Sequence, residues 1–329
     1  MNPIGGYFEF ELPEKTNNYH ENALHFQSAR GAFLALLQHT KPRCVWIPWY
    51  ICHSMLEPPA MQGCLVKRYS ISKDLMPTHL PELSENELFI YVNYFGLCTD
   101  QIDQLIKLGM GKNLVIDNSQ AFYASPKREV VATIYSPRKH FGLPDGGLLS
   151  TSLPISPPKD QDQGSIERIR PLLIRLGDGA EAGYDAVKLA RATLKGLPPL
   201  QMSTLTRKLL LHLDVENARQ QRNSNFSVLH TSLAGKNLFP ILFKDINGPL
   251  CYPFWSTTKG LYEWLIKNKI FAARYWPEIR GESDRESDLE FHLSQECIAL
   301  PCDQRYHKTE MLYISSLIDE FFSTRQINF

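Results

Sequence analysis

Through the first half of the chain, short apolar runs alternate with segments whose apolar residues recur at helical spacing. The spacing over 28–37 predicts a helix, whereas 44–47, 88–92, 114–116 and 130–135 are brief β-rich runs that predict strands. Helices are expected between them over 51–61 and 100–108. Strands separated by helices imply a mostly parallel sheet covered on both faces. The stretch 152–164, rich in Ser, Pro, Asp and Gln, reads as an exposed loop.

Beyond that loop, 165–195 and 203–233 carry helical patterns, the second long and charged, and Gly-Leu-Pro-Pro at 196–199 separates them. The pattern then changes. Strands are expected over 238–243, 250–254, 270–274 and 297–300, with helices over 259–269 and 308–322. The expected architecture is α/β: a large domain over 1–200 with a mostly parallel sheet, and a smaller C-terminal α+β domain over 201–329, entered through a long helix. No internal repeat interrupts this plan.

Composition narrows the function more than the fold. Basic and acidic residues balance at 35 each, so no net field favours nucleic acid or an anionic membrane, and small-molecule chemistry becomes the expectation. The seven cysteines, Cys44, Cys52, Cys64, Cys98, Cys251, Cys297 and Cys302, form no CxxC pair. Their odd number argues for reduced, mostly buried thiols. Cys297, Cys302 and His307 lack partners at zinc-ligand spacing, so no metal is expected. The start of the chain does not read as a secretory signal, and apolar runs such as 32–37 are too short to span a bilayer, so a cytoplasmic protein is expected.

The stretch 135–147, Tyr-Ser-Pro-Arg-Lys-His-Phe-Gly-Leu-Pro-Asp-Gly-Gly, follows a predicted strand and ends in a glycine pair. Lys139 in it becomes a nucleophile if burial or a nearby cation such as Arg138 lowers its pKa, since only the neutral amine attacks a carbonyl. Most lysines in such turns are simply solvated surface charges. Upstream, Asp117 ends an apolar strand, where open α/β sheets bind ligands; the competing reading is a carboxylate that caps the next turn. Ser28-Ala29-Arg30-Gly31 opens a helix with small residues that leave its first N–H groups open to a phosphate, or is an ordinary N-cap on Ser28.

In that order, Tyr94-Phe95-Gly96, Asp117-Asn118-Ser119-Gln120-Ala121, Ser136-Pro137-Arg138-Lys139-His140-Phe141-Gly142 and Asp145-Gly146-Gly147 resemble the fold type I pyridoxal-phosphate (PLP) enzymes of the DegT/StrS type, mostly nucleotide-sugar aminotransferases. The resemblance runs from the Gly5-Gly6-Tyr7 opening to about Pro301 and is strongest over 28–147. It implies an aspartate-aminotransferase-like fold, with Lys139 holding PLP as a Schiff base and shuttling the proton. It also implies that Asp117 pairs with the pyridine nitrogen and that Gln120 lies near the phenolic oxygen. Backbone amides of Ala29 and Arg30 would meet the phosphate, Ser136 would add a hydroxyl, and Tyr50 would stack on the ring, with Trp49 as the other candidate. Two departures stand out: Ser136 lies three residues before Lys139 where relatives place a serine about five before, and Pro198-Pro199-Leu200-Gln201-Met202-Ser203 replaces a stretch in which an Asn reaches the neighbouring subunit.

What the resemblance implies is transamination: an amino acid such as glutamate donates its amino group, through PLP, to a keto sugar linked to a nucleotide. The enzyme would be a homodimer with active sites near its interface. Two other readings stay open, another PLP reaction on a sugar, and a PLP-binding or cofactor-free relative that serves in regulation or assembly.

Overall fold

The structure is a computed structural model that describes residues 7–8, 10–15, 17–241, 246–281 and 288–326. The strands β1 (Leu24–Phe26), β2 (Cys44–Pro48), β3 (Leu65–Tyr69), β4 (Glu87–Val92), β5 (Leu114–Asn118), β6 (Ala132–Tyr135) and β7 (Gly147–Ser150) form one sheet in the order β1-β7-β6-β5-β4-β2-β3. From β3 to β6 every neighbouring pair is parallel, while β7 runs antiparallel to both β6 and β1. The expected α/β class, with its mostly parallel sheet, is the one observed.

Burial explains which strands form the middle. All six residues of β4 and all five of β5 are buried, including the polar Asp117 and Asn118 at the end of β5. A strand covered on both faces must read as a continuous apolar run, and these do. On the edge, β3 keeps Leu65 exposed and Lys67 and Arg68 half-buried, a mixture that gives no clear period. The helix α1 (Ala29–Thr40) starts with Ser28 as its cap, whose hydroxyl accepts from the Gly31 N–H at 3.0 Å.

After the first short helices, α2 (Glu57–Gln62) and α3 (Thr99–Lys107), come two broken ones. The helix expected over 165–195 is two, α4 (Ser165–Asp178) and α5 (Tyr184–Ala192), because Gly179 adopts a positive φ of 87° that ends α4. The one expected over 203–233 is also two, α6 (Thr204–Leu211) and α7 (Val215–Leu233). Each has its own cap: Ser203 accepts from the Thr206 N–H at 3.0 Å, and Asp214 from that of Asn217 at 3.1 Å. Over 51–61 a short 3₁₀ turn precedes α2, so the expected helix there is shorter.

Toward the C-terminus, β8 (Tyr252–Trp255) pairs antiparallel with β9 (Cys297–Leu300), packed with α8 (Leu261–Lys267), α9 (Leu289–Glu296) and α10 (Lys308–Gln326). Residues 270–274 form no strand, only the bridge between Ala273 and Ala299. In the strand expected over 238–243, residues 238–241 are irregular and 242–243 lie outside the described residues. One cluster of buried apolar side chains runs from β2, β4 and β5 through to β8, β9 and α10. All seven cysteines are free thiols, five of them buried. Among the described residues no helix is long and apolar enough to cross a membrane.

Candidate functional site

The parallel strands bring the predicted chemistry to one end of the sheet. In the β5–β6 register Asp117 lies opposite Ile134 and Asn118 opposite Tyr135, so Asp117 and the turn that follows β6 leave the sheet on the same side. That turn is Pro137–Lys139, a single 3₁₀ turn closed by the Lys139 N–H donating to the Ser136 carbonyl at 3.0 Å. Lys139 is exposed in the single chain, Ser136 is buried, and Arg138 is half-buried.

Asp117 is only 4% exposed. One of its carboxylate oxygens accepts from the Ser119 N–H at 2.9 Å, so the turn-capping role read from sequence is real. That bond uses one oxygen of two and leaves acceptor capacity on a buried carboxylate. Beside it, Asn93 and Asn118 clasp the ends of β4 and β5 through a side-chain bond at 3.1 Å, and Asn93 Oδ1 accepts from the Cys98 N–H at 2.9 Å. Sequence reasoning did not single out Asn93, which has no signal other than its place just after a buried strand.

Gln120 explains why Tyr94-Phe95-Gly96 has the residues it has. Its Oε1 accepts from the Phe95 N–H at 2.7 Å, and Phe95 itself takes a left-handed φ of 57° to present that N–H. At Gly96, φ is 79° and a Cβ would meet the Gln120 carbonyl oxygen at 3.0 Å, so both conformation and space call for glycine. Gln120 is 1% exposed, and its Nε2 has no hydrogen-bond partner. A buried donor without an acceptor costs of order 1–3 kcal/mol, which a bound acceptor removes.

The glycine pair closes the other side. A Cβ on Gly147 would sit 2.0 Å from the Ser28 carbonyl carbon and 2.2 Å from the Ala29 nitrogen, so the start of β7 lies directly on the start of α1. Pro137 in turn packs 3.3 Å from the Cβ position of Gly146. The turn carrying Arg138 and Lys139 therefore rests over the first residues of α1, where Ala29 and Arg30 lie. Arg30 pairs with Glu57, whose other oxygen accepts from the Gly196 N–H. Burial, together with the like charges of Arg191 and Arg30, holds the Arg138 guanidinium down at about 10.

Asp145, just before the pair, is fully buried and accepts from Arg168 Nε at 3.1 Å and Nη2 at 3.0 Å, and from the hydroxyls of Ser165 and Thr206 at 2.5 Å each. Arg168 also pairs with Asp162. Behind Lys139, the His140 carbonyl accepts from Arg222 Nη2 and Gln304 Nε2, both at 2.9 Å. The buried His140 ring has no partner for either nitrogen, and burial, then Arg222 and Lys139, hold it neutral, well below the usual histidine range.

The other residues named from sequence have these surroundings. Tyr50 is fully buried, its ring 4.6 Å from Trp276 and 5.5 Å from Tyr94, and it shares no hydrogen bond or ring contact with Lys139, Asp117 or Arg138. Trp49 lies under Arg68 at 4.4 Å. Arg274, at the end of the stretch expected as a strand over 270–274, stacks on Tyr262 at 4.1 Å and faces Glu263 at 3.7 Å. The stretch 198–203 runs along β1, with the Gln27 N–H donating to the Leu200 carbonyl at 3.1 Å and the Met202 N–H to the His25 carbonyl at 3.3 Å.

No family model and no curated protein matches the sequence. Solved structures do match the fold. A DegT DnrJ EryC1 StrS aminotransferase from Brucella abortus superposes with a TM-score of 0.61 at 15% identity, over 91% of this chain and 85% of that one. The aminotransferase TlmJ from Streptoalloteichus hindustanus gives 0.65 at 12%, over 93% and 87%. Spr1654 from Streptococcus pneumoniae, described as a sugar aminotransferase and solved in its PLP form, gives 0.59 at 14%, over 89% and 85%. The chain has the fold of the DegT/DnrJ/EryC1/StrS-type sugar aminotransferases, that of the fold type I PLP enzymes, as the ordered motifs implied.

Proposed function

We propose that this protein is a PLP-dependent aminotransferase that takes the amino group of an amino acid such as glutamate and delivers it to a keto sugar carried on a nucleotide. One observation carries the reading: a buried carboxylate with spare acceptor capacity, Asp117, and a buried amide donor with no partner, Gln120, lie at the end of the sheet from which the turn presenting Lys139 also leaves. In this reading Asp117 holds a proton on the pyridine nitrogen, and Gln120 Nε2 donates to the phenolic oxygen. Ser136 and the first amides of α1, at Ala29 and Arg30, lie toward the phosphate. Lys139 supplies the amine that holds the cofactor and that takes and returns the proton at the donor's α-carbon. When bound, PLP supplies the electron sink that makes that proton removable.

The sugar acceptor follows the names of proteins of this fold, which include sugar aminotransferases, while the nucleotide and the amino-acid donor are what the resemblance of the motifs implies. A homodimer fits the same reading, because symmetric pairing is the commonest assembly and α4 and α5 carry apolar side chains in water. Leu176 and Leu189 on them are 83% and 72% exposed. Borohydride reduction of the PLP-saturated protein followed by peptide mapping tests the core of the proposal. Label on Lys139 is expected; label on another lysine, or none, overturns it. Panels of amino acids and then of keto sugars identify the two substrates.

A further inference from the structure

We propose that Arg138, with Arg30 and Arg191 beside it, forms an anion site that takes the phosphate group of PLP, an inference that rests on the cofactor reading above. Arg138 is half-buried, and its guanidinium has no hydrogen-bond or ion-pair partner among the described residues. The charges that act on it include two further arginines, Arg191 and Arg30, and one acid, Asp145, which is committed to Arg168 and two hydroxyls. Withdrawing a lone guanidinium from water is costly unless an anion accompanies it.

Two further observations point to a ligand there. Arg30 spends Nη1 on Glu57, but its Nε is buried and has no partner, so that donor is also unsatisfied. The Arg138 turn is held against the start of α1 by Pro137 on Gly146 and by Gly147 on Ser28 and Ala29, so its backbone lies beside a helix N-terminus. A phosphate ester offers several oxygens to such a set, and guanidinium forks match its geometry with paired, charge-assisted bonds. Arg138 immediately precedes Lys139, so one turn presents both the amine for the aldehyde end of the cofactor and the cation for its phosphate end. The positions follow the departure noted in the sequence: the serine lies closer to the lysine than in relatives, and an arginine lies between the two.

The test compares wild type, Arg138→Met and Arg138→Lys. Apoprotein is titrated with PLP and with pyridoxal, which lacks the phosphate, and its melting temperature is measured with and without inorganic phosphate. Arg138→Met is expected to weaken PLP by about 10- to 100-fold, the worth of charge-assisted hydrogen bonds, and pyridoxal by about twofold or less. Inorganic phosphate should raise the melting temperature of wild type and not of Arg138→Met. Arg138→Lys, which keeps the charge and loses the fork, should fall between, and it decides the matter if the methionine variant does not fold. Equal weakening of PLP and pyridoxal, no weakening of either, or equal stabilisation of both proteins by phosphate would overturn the site. If wild type forms no lysine-bound chromophore with either aldehyde, the aminotransferase reading fails, and the phosphate-dependent melting still decides whether Arg138 binds an anion.

Discussion

Gly147→Ala is expected to destabilise the protein strongly, whereas Gly142→Ala in the same loop is not. A Cβ at Gly147 would lie 2.0 to 2.2 Å from main-chain atoms of Ser28 and Ala29. Real Cβ contacts essentially never fall below 3.0 Å, so the two segments must separate by about 1 Å. The obstacle is backbone on both sides: β7 is paired with β6 and with β1, and α1 buries seven residues in the core. Overpacking costs about 1–3 kcal/mol where side chains can yield, and here none can, so about 3 kcal/mol is expected. With unfolding entropy proportional to chain length, that lowers the melting temperature by roughly 4 °C. At Gly142 a Cβ meets nothing within 4 Å and φ is not positive, so alanine there should change the melting temperature by about 1 °C or less, upward if at all. Urea or thermal unfolding of the two variants without ligand settles it. A Gly147→Ala protein as stable as Gly142→Ala would refute the close packing of the β7 start on α1.

Asp117→Asn should still bind PLP but turn over at least about a hundredfold more slowly, because an amide does not hold the pyridine nitrogen protonated; rates near wild type would leave Asp117 only its bond to the Ser119 N–H. Stability should also fall with acid. His140, His20 and His25 all have folded pKa values below the ordinary 6.5, with burial the first cause, so the unfolded chain binds more protons below that pH. Their contribution is whole above about pH 6.5 and is lost as pH falls from there toward the folded values, at up to about 1.4 kcal/mol per pH unit for each. Urea midpoints between pH 5 and 7.5 should fall less steeply for His140→Phe than for wild type, and equal slopes would mean that His140 is protonated in the fold.

How much of this was legible depends on what each position has to satisfy. The runs at β4 and β5 were plain because both faces are covered, and Asp117 stood out as the first charge after one of them. The three-residue β1 and the edge strand β3 were not, since too few positions or too mixed a pattern left no period to detect. Helical spacing over 165–195 and 203–233 was correct on both sides of each break, but periodicity carries no record of a positive φ at Gly179 or of the Asp214 cap.

The site divides along the same line. Lys139, Asp117 and Gln120 could be named because a strand end fixes where a short stretch must lie. The role proposed for Arg138 was not open to the same logic, because a turn fixes position and not which of two adjacent cations is the more buried. Arg222 was further out of reach. It sits in a helix with charged and amide residues all around it, which reads as a solvated surface, yet it is 2% exposed and donates through Nη1 to the carbonyls of Pro249 and Leu250 and through Nη2 to that of His140. Leu250 in turn donates to the Phe95 carbonyl, and Phe95 donates to Gln120. One buried guanidinium, 82 residues from His140 in sequence, thus ties the turn of Lys139 to the turn that orients Gln120, and only the tertiary contacts reveal it.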